Sequence, residues 1–589
     1  DLVVNNVNMP VFIYRNNVDT LKNRSIQLSL NGDKLNTKAI GSKIILYDKD
    51  LKSMSEVFPS RGFQSSISHR IHFGVGDKKQ IDSIIVIWPN GDKHLYQNLV
   101  TNKLINLNKT FGIKIDNKAS NISVVKNPKL FEFKHIENEF IEFNRERLLT
   151  QMNHNEGPAM AVADLNNDQI DDVYIGGGKN QKGVLFVSTK KGDYQRQETP
   201  FDKDMASEDT NALFFDGDQD GDLDLIVASG GKAFSEISFS LNDRYYINEG
   251  NGNFKKQPQG LEFPRNFSSN AIAVADINLD GFNDIFIGER YNLKTYGKKG
   301  DGFIMLNKGN NTFKNIFQNE LQNIGMITDA KFHDINNDQW PDLIIVGEWM
   351  PITILINNKG VFENKTKDYG LEKTSGLWNT IELVDANNDG IIDFIAGNHG
   401  TNSFLKENMR MYLNDFDKNG SEEQILCYKI DGKFYPALDK DELIDQLPYL
   451  KKNIVFYKDY AKKSIDEIID KSQLIESSIF ELHELKTSLF VSEENKFIQH
   501  ILPDEIQYSP IYSILIKDDL KTNQKSLYLG GNQFLVKPQF GSYDASKGWM
   551  LPISFNENKF FNTIPKSLGI KGQIRKMEFL KKENKKYLI

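Results

Sequence analysis

Short apolar runs alternate with polar, glycine-rich stretches along most of the chain. Residues 159–163, 173–175, 213–215 and 225–228 are such runs, and their length predicts buried strands. One polar pattern sits between neighbouring runs: Asp-x-Asn/Asp-x-Asp-x-x-x-Asp, followed by an apolar run and a glycine. It recurs roughly every 50–60 residues, a period that predicts propeller blades and not a solenoid. Nearer the N-terminus, the alternation Ile84, Val86, Trp88 predicts a half-buried strand. One region changes period. Leu443, Leu447, Leu450, Ile454, Ala461, Ile465 and Ile468 recur at helical spacing, which predicts helices over 439–446 and 449–470. They fall in an insertion at about 430–500, read as a helical cap packed on the propeller, with a partner-docking element as the sharper alternative.

The recurring loop has the chemistry of a calcium site. Side-chain oxygens at alternate positions 1, 3 and 5 of a tight loop converge. A backbone carbonyl at position 7 and a carboxylate at position 9 complete a shell of 6–8 oxygens. The five loops in register are Asp164, Asn166, Asp168, Ile170, Asp172; Asp216, Asp218, Asp220, Asp222, Asp224; Asp276, Asn278, Asp280, Phe282, Asp284; Asp334, Asn336, Asp338, Trp340, Asp342; and Asp385, Asn387, Asp389, Ile391, Asp393. A sixth, out of phase, is Asp415, Asp417, Asn419, Ser421, Glu423. Asp and Asn also populate ordinary turns, so one loop alone would say little. Repetition between apolar runs favours Ca2+ at five or six sites.

Composition narrows the class. With 589 residues, 39% hydrophobic and 26% charged, the chain has material for large cores and is not a disordered polymer. No window is long and apolar enough for a transmembrane helix, and Asp1 to Asn6 lack a signal-peptide pattern. The single Cys427 excludes an intramolecular disulfide framework. A net charge of −8 argues against nucleic acid as partner. Clustered carboxylates repel without cations, and weak calcium modules belong to extracellular conditions.

Motifs of two kinds point to a family. Gly157-Pro158-Ala159-Met160-Ala161-Val162-Ala163-Asp164 and Gly347-Glu348-Trp349-Met350-Pro351-Ile352 resemble FG-GAP/VCBS-repeat propellers of Bacteroidota, a repeat similar to that of integrin alpha-chain heads. Asn36-Thr37-Lys38-Ala39-Ile40-Gly41, Ser60-Arg61-Gly62-Phe63-Gln64-Ser65, His72-Phe73-Gly74-Val75-Gly76 and Trp88-Pro89-Asn90-Gly91 resemble the ASPIC/UnbV module. The resemblance implies an all-β chain: residues 1–24 a remnant of an upstream propeller or linker, 25–115 a small β-sandwich, and 125–589 a calcium-loop propeller with the insertion. Seven first-strand starts, near Gly157, Asp209, Ser269, Ile327, Leu377, Ser509 and Gly572, predict seven blades, with six or eight as alternatives. The sixth lacks the loop, retaining only Asp518 and Asp519, and the seventh borrows outer strands from 130–134 and 140–143. The chain is expected to be the C-terminal part of a longer precursor.

Function is expected on the face opposite the loops, at the turns after the second strands. Arg290, Glu348, Trp349, His399 and Asn532 fall there, with Trp378 nearby, and predict a ligand-binding ring of aromatic and charged groups. The opposing expectation is that Trp349 is core and Arg290 pairs with Glu289 or Glu348. No catalytic motif is visible, and no catalytic residue is assigned. The expected function is a non-catalytic, calcium-stabilised surface binding or accessory protein recognising a protein, peptide or glycan. Family resemblance implies a bacterial cell-surface, outer-membrane-associated or secreted protein, a lipoprotein, with a SusCD-type TonB-dependent transport complex as a candidate partner. The alternatives are a polysaccharide lyase-like enzyme on a propeller and a purely structural assembly subunit.

Overall fold

The computed structural model describes all residues except 7–8, 20–21, 50, 116–129, 190–191, 259–260, 520–523, 557–558, 561–562 and 583–584. The chain divides into two compact units, Asp1–Ser123 and Val124–Ile589.

In the first unit, Lys43–Asp48, Leu51–Glu56, Gln80–Ile87, Lys93–Val100 and Ile113–Ile115 form a five-stranded antiparallel sheet. Arg24–Asn31 pairs antiparallel with Ile71–Gly76 and parallel with Leu104–Asn108 in a second sheet. The strands alternate, so Ile26, Leu28, Ile44, Leu46, Ile84, Val86 and Trp88 meet in one core. Leu2–Val4 and Phe12–Tyr14 form a separate hairpin whose side chains are largely exposed.

The second unit repeats one four-stranded antiparallel sheet. The first three sheets begin with Met160–Ala163, Asp209–Phe215 and Ser268–Ala275. The next three begin with Met326–His333, Thr380–Val384 and Ile511–Asp519. The second strands of the first five sheets are continuously buried because a sheet packs on each face, as in Asp224–Ser229 and Asp284–Tyr291. Four first strands share a bulge near their start, at 209–211, 268–271, 327–329 and 511–513. The bulged residues reach the next sheet. Thr210 Oγ1 donates to the Ser269 carbonyl at 2.7 Å, Asn270 Nδ2 to the Thr328 carbonyl at 3.1 Å, and Thr328 Oγ1 to the Trp378 carbonyl at 2.8 Å. At the C-terminus, Met577 N–H donates to Ser513 Oγ of the sixth sheet. Asp171 N–H of the first sheet donates to the Lys581 carbonyl, and Leu580 packs with Met160, Val173 and Phe186. Residues from five of the six first strands, Pro158 and Ala159 just before the remaining one, and residues 575–578 line one central cavity.

Three expectations change here. The insertion spans 398–487, not about 430–500, because the fifth sheet continues from Asp393–Gly397 directly to Ser488–Glu493 and Lys496–Ile501. The inserted residues build their own sheet from Arg410–Asn414, Glu423–Ile430, Lys433–Pro436 and Ser478–Glu481. Of the expected helices, Lys440–Gln446 forms, capped by Asp439. The longer one breaks into short turns at Pro448–Lys452, Tyr457–Tyr460 and Ile465–Glu467. Leu443, Leu447, Leu450, Ile454 and Ile465 still share one core, so the apolar spacing holds the turns together without a continuous helix. The outer strands expected at 130–134 and 140–143 do not form. Phe131 instead stacks on Phe186 at 4.9 Å, and Gln181 bonds the backbone at Lys134 and Ile136.

Candidate metal loops and the central cavity

Each of the five repeated loops joins the first and second strands of its sheet, and the six acidic loops share one backbone. Positions 4 and 6 are left-handed in all of them: Asn167 and Gln169, Gln219 and Gly221, Leu279 and Gly281, Asn337 and Gln339, Asn388 and Gly390, Lys418 and Gly420. The side chains hold that shape from inside. Asp276 accepts from the N–H groups of Asp280 and Gly281 at 3.0 and 2.8 Å, Asn278 from Asp280 at 3.0 Å, and Asp280 from Phe282 at 3.0 Å. The same wiring appears from Asp164, Asn166 and Asp168 to Ile170. It appears again from Asp334, Asn336 and Asp338 to Trp340, and from Asp385, Asn387 and Asp389 to Ile391. In the second loop, Asp216 accepts from Gln219 and Gly221, Asp218 from Asp220, and Asp220 from Asp222.

The sixth loop belongs to the inserted sheet, at the hairpin between Arg410–Asn414 and Glu423–Ile430, and still repeats the pattern. Asp415 accepts from Asn419 and Gly420, Asp417 from Asn419, and Asn419 from Ser421.

Position 9 is the buried anchor. Asp172, Asp224, Asp284, Asp342 and Asp393 each accept one N–H from position 2 of their own loop and one from the third strand. For Asp284 these are Ile277 at 3.1 Å and Asn307 at 2.8 Å. Burial pushes these five carboxyls up to about 6, and Glu423 to about 7. A carboxylate has about four acceptor sites, so two remain for a cation on four of these anchors and one on Asp224, which also accepts from the Tyr245 hydroxyl. Two loops bring three carboxylates within 4.8 Å of one another: Asp216, Asp218, Asp220 and Asp415, Asp417, Glu423. In three of the four loops with Asn at position 3, the amides of Asn278, Asn336 and Asn387 donate to the position-5 carboxylate at 2.7–2.9 Å, while that of Asn166 donates to Ser188. This all-oxygen donor set fits a hard divalent cation.

Sequence reasoning missed the asparagines that tie the loops together. Asn307 Nδ2 donates to the Gly217 carbonyl of the preceding loop, and Asn357 Nδ2 to the Ile277 carbonyl. Their signal was an Asn ending the third strand shortly before a glycine, as in Asn307-Lys308-Gly309.

The expected ring of ligand-binding groups is not exposed. Trp378 is fully buried and donates to the Thr374 carbonyl. Trp349 donates to the Tyr296 hydroxyl and packs with Leu405, Met411 and Phe480 of the insertion, which cover it. His399 lies edge-on to Tyr543, and burial holds its imidazole down at about 4. Asn532 is spent on the Ser546 and Gly572 carbonyls. Arg290 pairs with Glu348 and with Glu156, the latter unforeseen. Of these six residues, Arg290 and Glu348 line the central cavity.

A second missed feature is the segment 142–156 that crosses this face. Glu146 takes the buried Lys232 at 2.5 Å and the Tyr296 N–H, and Gln533 donates to the Met152 carbonyl.

Fold and loops together define an all-β repeat protein built on acidic strand-to-strand loops. Residues 216–287 and 334–396 match the family model described as FG-GAP-like repeat, and residues 32–113 that described as ASPIC and UnbV. The chain is thus an FG-GAP-repeat protein with an ASPIC/UnbV module, and such repeats imply a propeller. No curated protein matches it. The loops at 164–172 and 415–423 lie outside the matched ranges but share the wiring of those within.

Proposed function

We propose that the chain is a calcium-stabilised, non-catalytic binding or accessory protein that works at a cell surface, with a protein, peptide or glycan as its ligand. The observation that carries this reading is the common wiring of six loops, whose carboxylate-rich oxygen sets recur at identical loop positions. Asp164, Asp216, Asp276, Asp334, Asp385 and Asp415, with positions 3, 5, 7 and 9 of each loop, would hold the ions. Bound calcium supplies positive charge between carboxylates that otherwise repel. The protein supplies oxygens preset by backbone N–H groups, so little ordering is left for binding.

A seven-position closed ring is part of the same proposal, supported by the hydrogen bonds linking each first-strand region to the next and the C-terminal hairpin to the first sheet. Among the described residues no helix is long and apolar enough to cross a membrane. An outer-membrane association, including a SusCD-type transport complex, therefore rests on family resemblance and on partner capture. The test is a pull-down from native envelopes with the full chain in calcium and in EDTA. A stoichiometric envelope partner retained in calcium and lost in EDTA is expected. A folded bait that retains nothing, and binds no glycan or peptide on an array, overturns the binding role.

A further inference from the structure

The central cavity holds about 270 Å³, small against the pockets that take drug-sized ligands. Its lining changes along its length. Lys331 and Glu382, paired at 3.1 Å, are each about a third exposed. Arg290, also in the lining, is 3% exposed, and Asn155 and Glu156 of the crossing segment line the wall with it.

At this inner end the polar groups are not all used. Arg290 Nε donates to Glu156 Oε1 at 2.6 Å and Nη2 to Glu348 Oε1 at 2.8 Å, but Nη1 has no partner. Glu156 Oε2, Asn155 Oδ1 and Asn379 Nδ2 also lack partners, and all four residues line the cavity. An unmade hydrogen bond costs more on a buried charged group than on a neutral one. Arg575 adds a second guanidinium, held 4.0 Å over the Tyr512 ring with its N–H groups spent on Asn155, Asn532, Gln533 and Gln573.

We propose that this inner end binds a small hydroxylated carboxylate, its carboxylate on Arg290 Nη1 and its hydroxyls on Asn155 Oδ1 and Asn379 Nδ2. Asp329, Glu382 and Glu578 also line the cavity, against Lys331 and Lys576, so it is the unpartnered guanidinium donor, Arg290 Nη1, and not the summed charge, that calls for an anion. Two arginines face Glu348 and Glu156, and burial pushes Glu156 up to about 7, so near neutral pH it is substantially protonated and its free oxygen serves as a donor. The remaining unpartnered acceptor and amide donor suit hydroxyls, which give and take hydrogen bonds alike. The site is separate from the metal loops, so a failure here leaves the calcium reading standing, and a failure of calcium binding leaves this site to be judged by its own titration.

The experiment is calorimetric titration of the calcium-loaded full chain with gluconate and galacturonate, with glucose and galactose as uncharged controls. Saturable one-to-one binding of an acid and none of the neutral sugars is expected. Asn379→Leu, checked for an unchanged melting curve, should weaken binding at least tenfold. Arg290→Lys should abolish it, and Asn155→Leu is the alternative should that variant fail to fold. The proposal is overturned if neither acid binds to folded protein, if neutral sugars bind equally, or if Asn379→Leu and Asn155→Leu bind as the parent does. A crystal soaked in either acid that shows ordered water alone in the cavity overturns it as well.

Discussion

Asp209 meets Arg244 at 2.6 Å inside the second sheet, with both side chains about 95% buried. The other carboxylate oxygen of Asp209 accepts from the Tyr174 hydroxyl at 2.8 Å and from Gly177 N–H at 2.9 Å, so one side chain joins the first two sheets. Removing one partner of a buried pair strands the other charge, at a cost of about 3–5 kcal/mol. Asp209→Ala is therefore expected to lose that much stability in urea unfolding. Asp209→Leu combined with Arg244→Met should recover part of it, because no charge is then left buried while the Tyr174 hydroxyl and Gly177 N–H still lack their acceptor. A loss below about 1 kcal/mol for the single variant would contradict the strut.

Calcium removal is the second test. A ligand at 100 times its Kd stabilises the folded state by about 2.7 kcal/mol per site. Several sites on one cooperative unit should give a large melting shift on adding EDTA. Replacing Asp216 and Asp220 with Ala should remove part of the calcium-dependent increment. Replacing Asp415 and Asp417 should remove another part, confined to the inserted sheet. An identical melting curve in calcium and EDTA ends the structural-calcium reading.

The loops were legible because their chemistry is local: side chains at positions 1, 3, 5 and 9 act on backbone within the same few residues. The fifth sheet was not. Phe394 stacks on Phe490 at 4.8 Å, yet 398–487 separates their strands, and no periodicity says which later run returns to pair. That misplaced the insertion and, with it, the ring. Trp349 reads in sequence as an aromatic on a turn. It is core only because Leu405, Met411 and Phe480 arrive from the insertion to cover it. The crossing segment was illegible for the same reason: Glu146 and Glu156 find their partners far away in sequence, Lys232 and Arg290.

His399 gives a pH prediction with a definite sign. Its folded value lies near 4, against an ordinary 6.5, chiefly because burial disfavours the imidazolium, while Glu348 pulls the other way. A depressed base contributes stability that is whole above about 6.5 and is lost as pH falls toward 4. Glu156 and Asp243, both pushed up to about 7, contribute the opposite slope, losing stability as pH rises through 7. The difference between parent and His399→Phe isolates the histidine. Parent minus variant stability should fall between pH 6.5 and 4 and stay level above 7. A flat difference across that window would mean that His399 charges without cost.

Trp349 tests whether the insertion is fastened to the face it covers. Its backbone is left-handed, φ +59°, a conformation that a bulky residue holds only where packing compels it. The indole donates to Tyr296 and packs with residues of both the repeats and the insertion. Trp349→Ala leaves a cavity and should cost about 3–5 kcal/mol. If that energy fastens the insertion, the loss appears first as cleavage within 398–487 under limited proteolysis, while the repeats stay intact. Trp349→Gly should be no worse than Ala, because glycine takes the left-handed backbone without strain. Cleavage spread evenly over the chain would show that the insertion and the repeats unfold as one unit, with Trp349 serving the whole.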